Sequence, residues 1–149
     1  MGTWDISIES NDTFQDIYSS FMERYNSGDD PTQIKQDILS DFADYFADSD
    51  DHNNALLGLS KGLWETKSLD KETLDKVKQL ITSESDLKRW RDLGATDEIL
   101  KKRKDRLDKF LKTISTEKEK PKRRVKKKFE FEKKDLVKLI SPDSKKILN

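Results

Sequence analysis

Between positions 11 and 26 the apolar side chains return at steps of three and four, so Phe14, Ile17, Tyr18, Phe21, Met22 and Tyr25 fall on one helical face. Asn11 is placed to cap that helix, and Asn26-Ser27-Gly28 supplies the permissive backbone that ends it. A second helix is predicted to open at Asp30-Pro31, carry Ile34, Ile38, Phe42, Tyr45 and Phe46 inward, and stop near Asp48. The third runs from about Asp51 to Glu65 on Ala55, Leu56, Leu59 and Leu63. Gly58 and Gly62 weaken it through backbone entropy, or else admit a neighbouring helix at short range. Asp70 caps a fourth helix (Leu74, Val77, Leu80, Ile81), and Ser85 opens a short fifth (Leu87, Trp90) that Gly94 ends. Thr96 begins a long last helix whose inward face is Ile99, Leu100, Leu107, Phe110, Leu111 and Ile114.

Past Ser115 this periodicity vanishes. Residues 116–128 hold eight bases against two acids around Pro121 and are expected to be a solvated linker. Beyond it, Phe129-Glu130-Phe131-Glu132 alternates with period two, 136–140 is strand-like, and Ser141-Pro142-Asp143-Ser144 is a turn. The expected fold is therefore mainly α: a five- to six-helix bundle-like domain over 1–115, a basic linker over 116–128, and a short β-hairpin or meander over 129–149. That last piece either docks on the helices or opens a second, β-rich domain.

Composition narrows the chemistry. Of 149 residues, 40% are charged and 32% hydrophobic, so the core must be thin and draw on nearly every large apolar side chain, Trp64 and Trp90 included. No stretch approaches the roughly 18 uninterrupted apolar residues of a membrane helix, and the N-terminus lacks the layout of a secretion signal, which points to a cytoplasmic protein without membrane contact. There is no cysteine and a single histidine, His52. Thiolate zinc sites, cysteine nucleophiles, catalytic triads and histidine–metal clusters thus lack support; neither enzymatic activity nor a cofactor is expected. Net charge is zero but strongly divided. The first 60 residues hold 13 acids against 2 bases, a net of −11, and the remaining 89 hold 28 bases against 17 acids, a net of +11.

Several short motifs carry a resemblance. The opening Met1-Gly2-Thr3-Trp4, then Asn11-Asp12 at a helix start, Ala55-Leu56-Leu57-Gly58, and Ser85-Asp86-Leu87-Lys88-Arg89-Trp90 together resemble a bacterial family catalogued as domain of unknown function 4259. The likeness spans 1–114, with Asp5 standing where the family typically has glycine. It implies a small helical protein from the neighbourhood of bacterial toxin and immunity loci, and it brings no catalytic positions. The segment 129–139 is similar to the opening of β-rich bacterial immunity modules, which implies the same setting.

Two charge clusters are candidate sites. Asp37, Asp41, Asp44 and Asp48 recur at four, three and four, which at about 100° per residue forms a carboxylate row beside the apolar stripe of the second helix. Like charges at this spacing cost about 0.2–0.5 kcal/mol per pair. The row, continued by Asp50 and Asp51, reads as a docking ridge for a basic protein, against a solvated face or one neutralised by the chain's own cations. Asp48-x-Asp50-x-His52 imitates the start of a calcium loop, but Asn53 and Leu59 occupy the positions that need glycine and a bidentate acid, so no metal is expected. The second cluster is Lys122, Arg123, Arg124, Lys126, Lys127 and Lys128 ahead of Phe129 and Phe131. It has the charge and aromatic interleaving of a single-strand nucleic-acid binder, although Glu130 and Glu132 would repel phosphate. A strap across the acidic half is the competing reading. The leading expectation is a non-enzymatic protein of the bacterial immunity or antitoxin type, neutralising a toxin such as a basic nuclease. The alternative is a nucleic-acid-binding module on residues 118–134.

Overall fold

Residues 6–125 are those described by the computed structural model, and along them run seven helices. These are α1 (Asp12–Asn26), α2 (Pro31–Asp41), α3 (Ala43–Ala47), α4 (His52–Glu65), α5 (Lys71–Thr82), α6 (Ser85–Asp92) and α7 (Asp97–Ser115). The predicted caps are in place. Asn11 accepts from the Phe14 amide at 3.0 Å, Asp30 from Thr32 and Gln33, Asp70 from Thr73 at 2.9 Å, and Thr96 from Ile99. The mainly helical class is as expected, whereas the β segment 129–149 lies outside the described residues.

The predicted second helix is two. The backbone leaves helical geometry at Phe42 (φ −111°, ψ 28°), so α2 seats Ile34 and Ile38 with no exposed surface while α3 turns onto α4. Phe42, Tyr45 and Phe46 are left half-buried.

Helix α4 is the centre. Ala55 through Ser60 are all buried, together with Gly62 and Leu63, a helix apolar around most of its circumference. One side joins Ile17, Phe21, Met22, Tyr25, Ile34 and Ile38; the other joins Phe14, Val77, Leu80, Ile81, Leu107, Phe110 and Ile114. The glycines explain how α1 fits so closely. A Cβ at Gly58 would stand 2.7 Å from the Phe14 carbonyl oxygen, and one at Gly62 would stand 2.7 Å from the Phe21 ring. Phe14 thus faces Gly58 and Phe21 faces Gly62, so α1 and α4 run in the same general sense and finish at one end of the molecule.

The opposite side is fastened by a charge pair that the sequence pattern does not announce. Arg103 of α7 and Asp86 of α6 are both buried. The guanidinium meets the carboxylate with two hydrogen bonds, Nε to Oδ2 at 2.9 Å and Nη2 to Oδ1 at 3.2 Å. Its remaining donors reach the Ile6 carbonyl and Asn54, and its plane lies 4.7 Å from the Trp90 ring. A buried ion pair is tolerated when its other protons are satisfied in this way. Trp90 and Trp64, expected in the core, are only half-buried: Lys61 and Lys118 lie over the Trp64 ring, and Trp90 packs against the buried Arg103.

Gly58→Ala is expected to destabilise the chain by about 1–3 kcal/mol through overpacking against backbone, although Gly→Ala in an uncrowded helix stabilises by roughly 0.4–1 kcal/mol. Gly62→Ala meets a ring that can shift, and should cost less. Denaturant melts of the two variants check both the sign and the order.

Candidate binding surface

The break at Phe42 divides the carboxylate row. Asp37 and Asp41 stand on α2, Asp44 on α3, and Asp48 follows α3 as its C-terminal cap. Asp37 accepts a hydrogen bond from Gln33 at 3.1 Å, Asp48 closes its own loop by accepting from the Asp50 amide at 2.7 Å, and Asp51 accepts from the Thr13 hydroxyl at 3.0 Å. Two members are neutralised internally, contrary to an unbroken unpaired ridge: Asp41 pairs with Arg24 at 2.8 Å, and Asp50 pairs with Arg89 of α6. Both arginines sit on other helices, so sequence spacing could not pair them. Among the described residues no cation comes within 4 Å of Asp37, Asp44, Asp48 or Asp51.

The fold adds members that the row omitted. The Tyr45 hydroxyl donates to Asp16 of α1 at 2.7 Å; this bond first, then the Asp16 charge, raises the Tyr45 pKa, and Asp51 and Asp12 contribute in the same direction. Acids from α1 and from the start of α4 therefore lie near Tyr45 of α3. Tyr45 stacks on Phe42 with ring centres 5.8 Å apart, both half-buried. Carboxylates near aromatic rings suit lysine and arginine side chains, which find both an ion-pair partner and a cation–π surface. Position on the polar side of α1 was the available signal for Asp12 and Asp16. The exposed His52 turns Nδ1 to the Phe46 carbonyl at 2.7 Å, so that nitrogen donates and the residue ties α3 to α4. Among the described residues no three histidine or acid side chains are grouped to hold a metal.

The basic segment is exposed at every residue from Thr116 to Val125 except the half-buried Lys118, and it is also tied to the helices. From Thr116 to Val125 the chain has no regular secondary structure, yet it is strapped across the ends of α1 and α4. The Trp64 indole donates to the Thr116 carbonyl at 2.7 Å, Lys118 bonds Glu65 at 3.1 Å, and the Lys122 amide donates to the Glu65 carbonyl at 2.6 Å. Farther on, the Tyr25 hydroxyl donates to the Lys122 carbonyl, Arg124 lies 4.1 Å over the Tyr25 ring and donates to its carbonyl, and the Val125 amide donates to Asn26. The physical reason is the shared end. Two helix C-termini side by side gather unpaired carbonyls and negative dipole, which a basic strand satisfies. Of the candidate nucleic-acid residues, Lys122, Arg123 and Arg124 are all exposed, Lys122 being tied to the fold through its backbone and Arg124 through its guanidinium, while Lys126, Lys127 and Lys128 lie outside the described residues.

Glu65 anchors the strap. Burial pushes its carboxyl up, but the hydrogen bond from Lys118 and the charges of Lys61, Lys118 and Lys122 outweigh it and hold the group below the usual glutamate value. Beside it Tyr18 is pushed up to about 12, first by burial and then by the Glu65 and Glu9 charges. Along α7, Glu98 pairs with Lys102 at 3.8 Å and Asp108 with Lys104 at 3.0 Å, each four residues apart, while Asp97 reaches Arg91 of α6 at 3.3 Å. No protein-family model matches the chain, and neither the curated proteins nor the solved structures contain a significant match.

Because the Glu65 pKa is depressed on folding, its contribution to stability is fully present above the ordinary value of 4.5 and is lost as pH falls through the lower folded value. Unfolding free energies of the parent chain and Glu65→Gln are therefore expected to differ most near neutral pH and to converge on acidification below that value. A gap that stays constant with pH would show that the strap does not depend on the Glu65 charge.

Proposed function

We propose that this chain is a non-catalytic binding protein of the bacterial immunity or antitoxin type, and that its acidic face docks onto a basic protein such as a toxin nuclease. The observation that carries the reading is the set Asp37, Asp44, Asp48 and Asp51, which lacks a cation from the described residues, on the same stretch of chain as the stacked Phe42–Tyr45 pair. Unneutralised like charge destabilises the compact state through self-repulsion. A cationic partner would relieve it. Charge complementarity of this kind speeds encounter and selects the partner, while aromatic anchors supply residence time. The motif resemblance to a family near toxin and immunity loci agrees with it. Asp41 and Asp50 leave the binding set, because Arg24 and Arg89 already hold them.

The alternative of a nucleic-acid module on 118–134 draws less support, since the Lys118 ammonium is held by Glu65 and the Arg124 guanidinium by Tyr25.

The test begins with capture of a basic protein from the native lysate, followed by association kinetics with Asp37→Asn/Asp44→Asn/Asp48→Asn/Asp51→Asn. The quadruple variant should associate about tenfold or more slowly at low salt, with a flattened salt dependence and a nearly unchanged dissociation rate. Phe42→Ala should instead accelerate dissociation. An association rate indifferent to all four substitutions would reject this face.

A further inference from the structure

One face of α6, counted from its cap, reads Glu84-x-x-Leu87-Lys88-x-x-Arg91, and α7 opens with the matching Asp97-x-x-Leu100-Lys101-x-x-Lys104. Steps of three and four keep each set on one side of its helix. Both sets line a single groove of about 490 Å³ between the two helices. Only residues 93–96 join α6 to α7, so the pair forms an antiparallel hairpin. Two interactions give its register. Next to the loop, Arg91 pairs with Asp97 at 3.3 Å. At the far end the Lys104 pKa is raised first by its bond to Asp108 at 3.0 Å, and the charge of Glu84 adds to it. This register sets Lys88 against Lys101 at the middle of the groove, over the half-buried Leu87 and the buried Leu100. We infer that the groove between α6 and α7 is a binding site for a small phosphate monoester, whose phosphoryl group bridges Lys88 and Lys101.

The lining selects the chemistry of the occupant. Lys88 and Lys101 are exposed, and neither meets a carboxylate within 4.0 Å among the described residues. The acids of the pattern, Glu84 and Asp97, stand at the two ends of the groove, so its centre is cationic. Two ammonium groups on opposite walls are answered best by one compact anion of charge near −2, and a phosphate monoester carries about −1.5 to −2 at pH 7. Its terminal oxygens can accept from both lysines at once. A diester, as in a nucleic-acid backbone, brings a single charge at each phosphate and would have to run past Glu84 or Asp97. The leucine floor suits the organic group of an ester, which free phosphate lacks. The inference concerns α6 and α7 and is independent of the partner proposed for the α2–α3 face.

Phenyl phosphate is the probe, titrated calorimetrically into the full chain near neutral pH and at low salt. Phenyl sulfate, of similar shape and one charge fewer, should bind about tenfold more weakly, and inorganic phosphate several-fold more weakly. Lys88→Gln with Lys101→Gln should lower the affinity for phenyl phosphate by about tenfold or more. Lys109→Gln with Lys112→Gln takes the same charge from exposed positions of α7 outside the groove and should change it less than about twofold. Four results would overturn the inference: no binding of phenyl phosphate, equal affinity for the sulfate or for inorganic phosphate, equal losses in the two double variants, or a single-stranded oligonucleotide that displaces phenyl phosphate at equal phosphate concentration.

Discussion

The carbonyl oxygen of Phe14 occupies space that any side chain at position 58 would claim, and that approach sets the spacing of α1 on α4. In a chain with so little apolar material, the core closes only because its central helix can be reached at short range on one flank while burying leucines on the other. Gly62 admits Phe21 by the same device one turn later. Once these two helices lie alongside each other in the same sense, their C-termini meet, and the need for a cationic strand at that end follows.

Seen this way, the divided charge has two separate uses. Part of the basic half is structural: Lys118, Lys122 and Arg124 answer the carbonyls and the Glu65 carboxylate at the joined helix ends, and Arg103 is buried against Asp86. Part of the acidic half is not answered in this way. Arg24 and Arg89 hold Asp41 and Asp50, while Asp44 and Asp48 are exposed, Asp37 and Asp51 are half-buried, and none of the four meets a cation among the described residues. The molecule keeps a local repulsion there that a partner's cations would relieve.

Helix positions and caps were legible in the sequence because period and cap chemistry are local: Asn11, Asp30, Asp70 and Thr96 each bond amides two or three residues ahead. The break at Phe42 was not legible, since Phe42, Tyr45 and Phe46 continue the stripe of Ile34 and Ile38, and tertiary packing of α3 on α4 decides the turn. Arg103 was hidden among the cations of α7; its partners come from α6, from Asn54 and from Ile6. The contacts of the strap were not legible for a related reason. Composition marks a basic stretch as solvated, but the anionic end it covers exists only once α1 and α4 are packed. Of the candidate ridge, spacing found the residues on α2 and α3, and could find neither the arginines that remove Asp41 and Asp50 nor the α1 acids that join it.

Amide hydrogen exchange of the full chain at two ionic strengths, about 20 mM and about 500 mM NaCl, separates the two uses of charge most directly, since salt screens attraction and repulsion alike. Amides of α2 and α3 should gain protection as salt relieves the repulsion among their aspartates, while the strap amides of Lys122 and Val125 lose it as their ion-paired surroundings weaken. Loss of protection in both places would mean that the acidic face is already neutralised within the molecule, and would contradict its assignment as a docking surface.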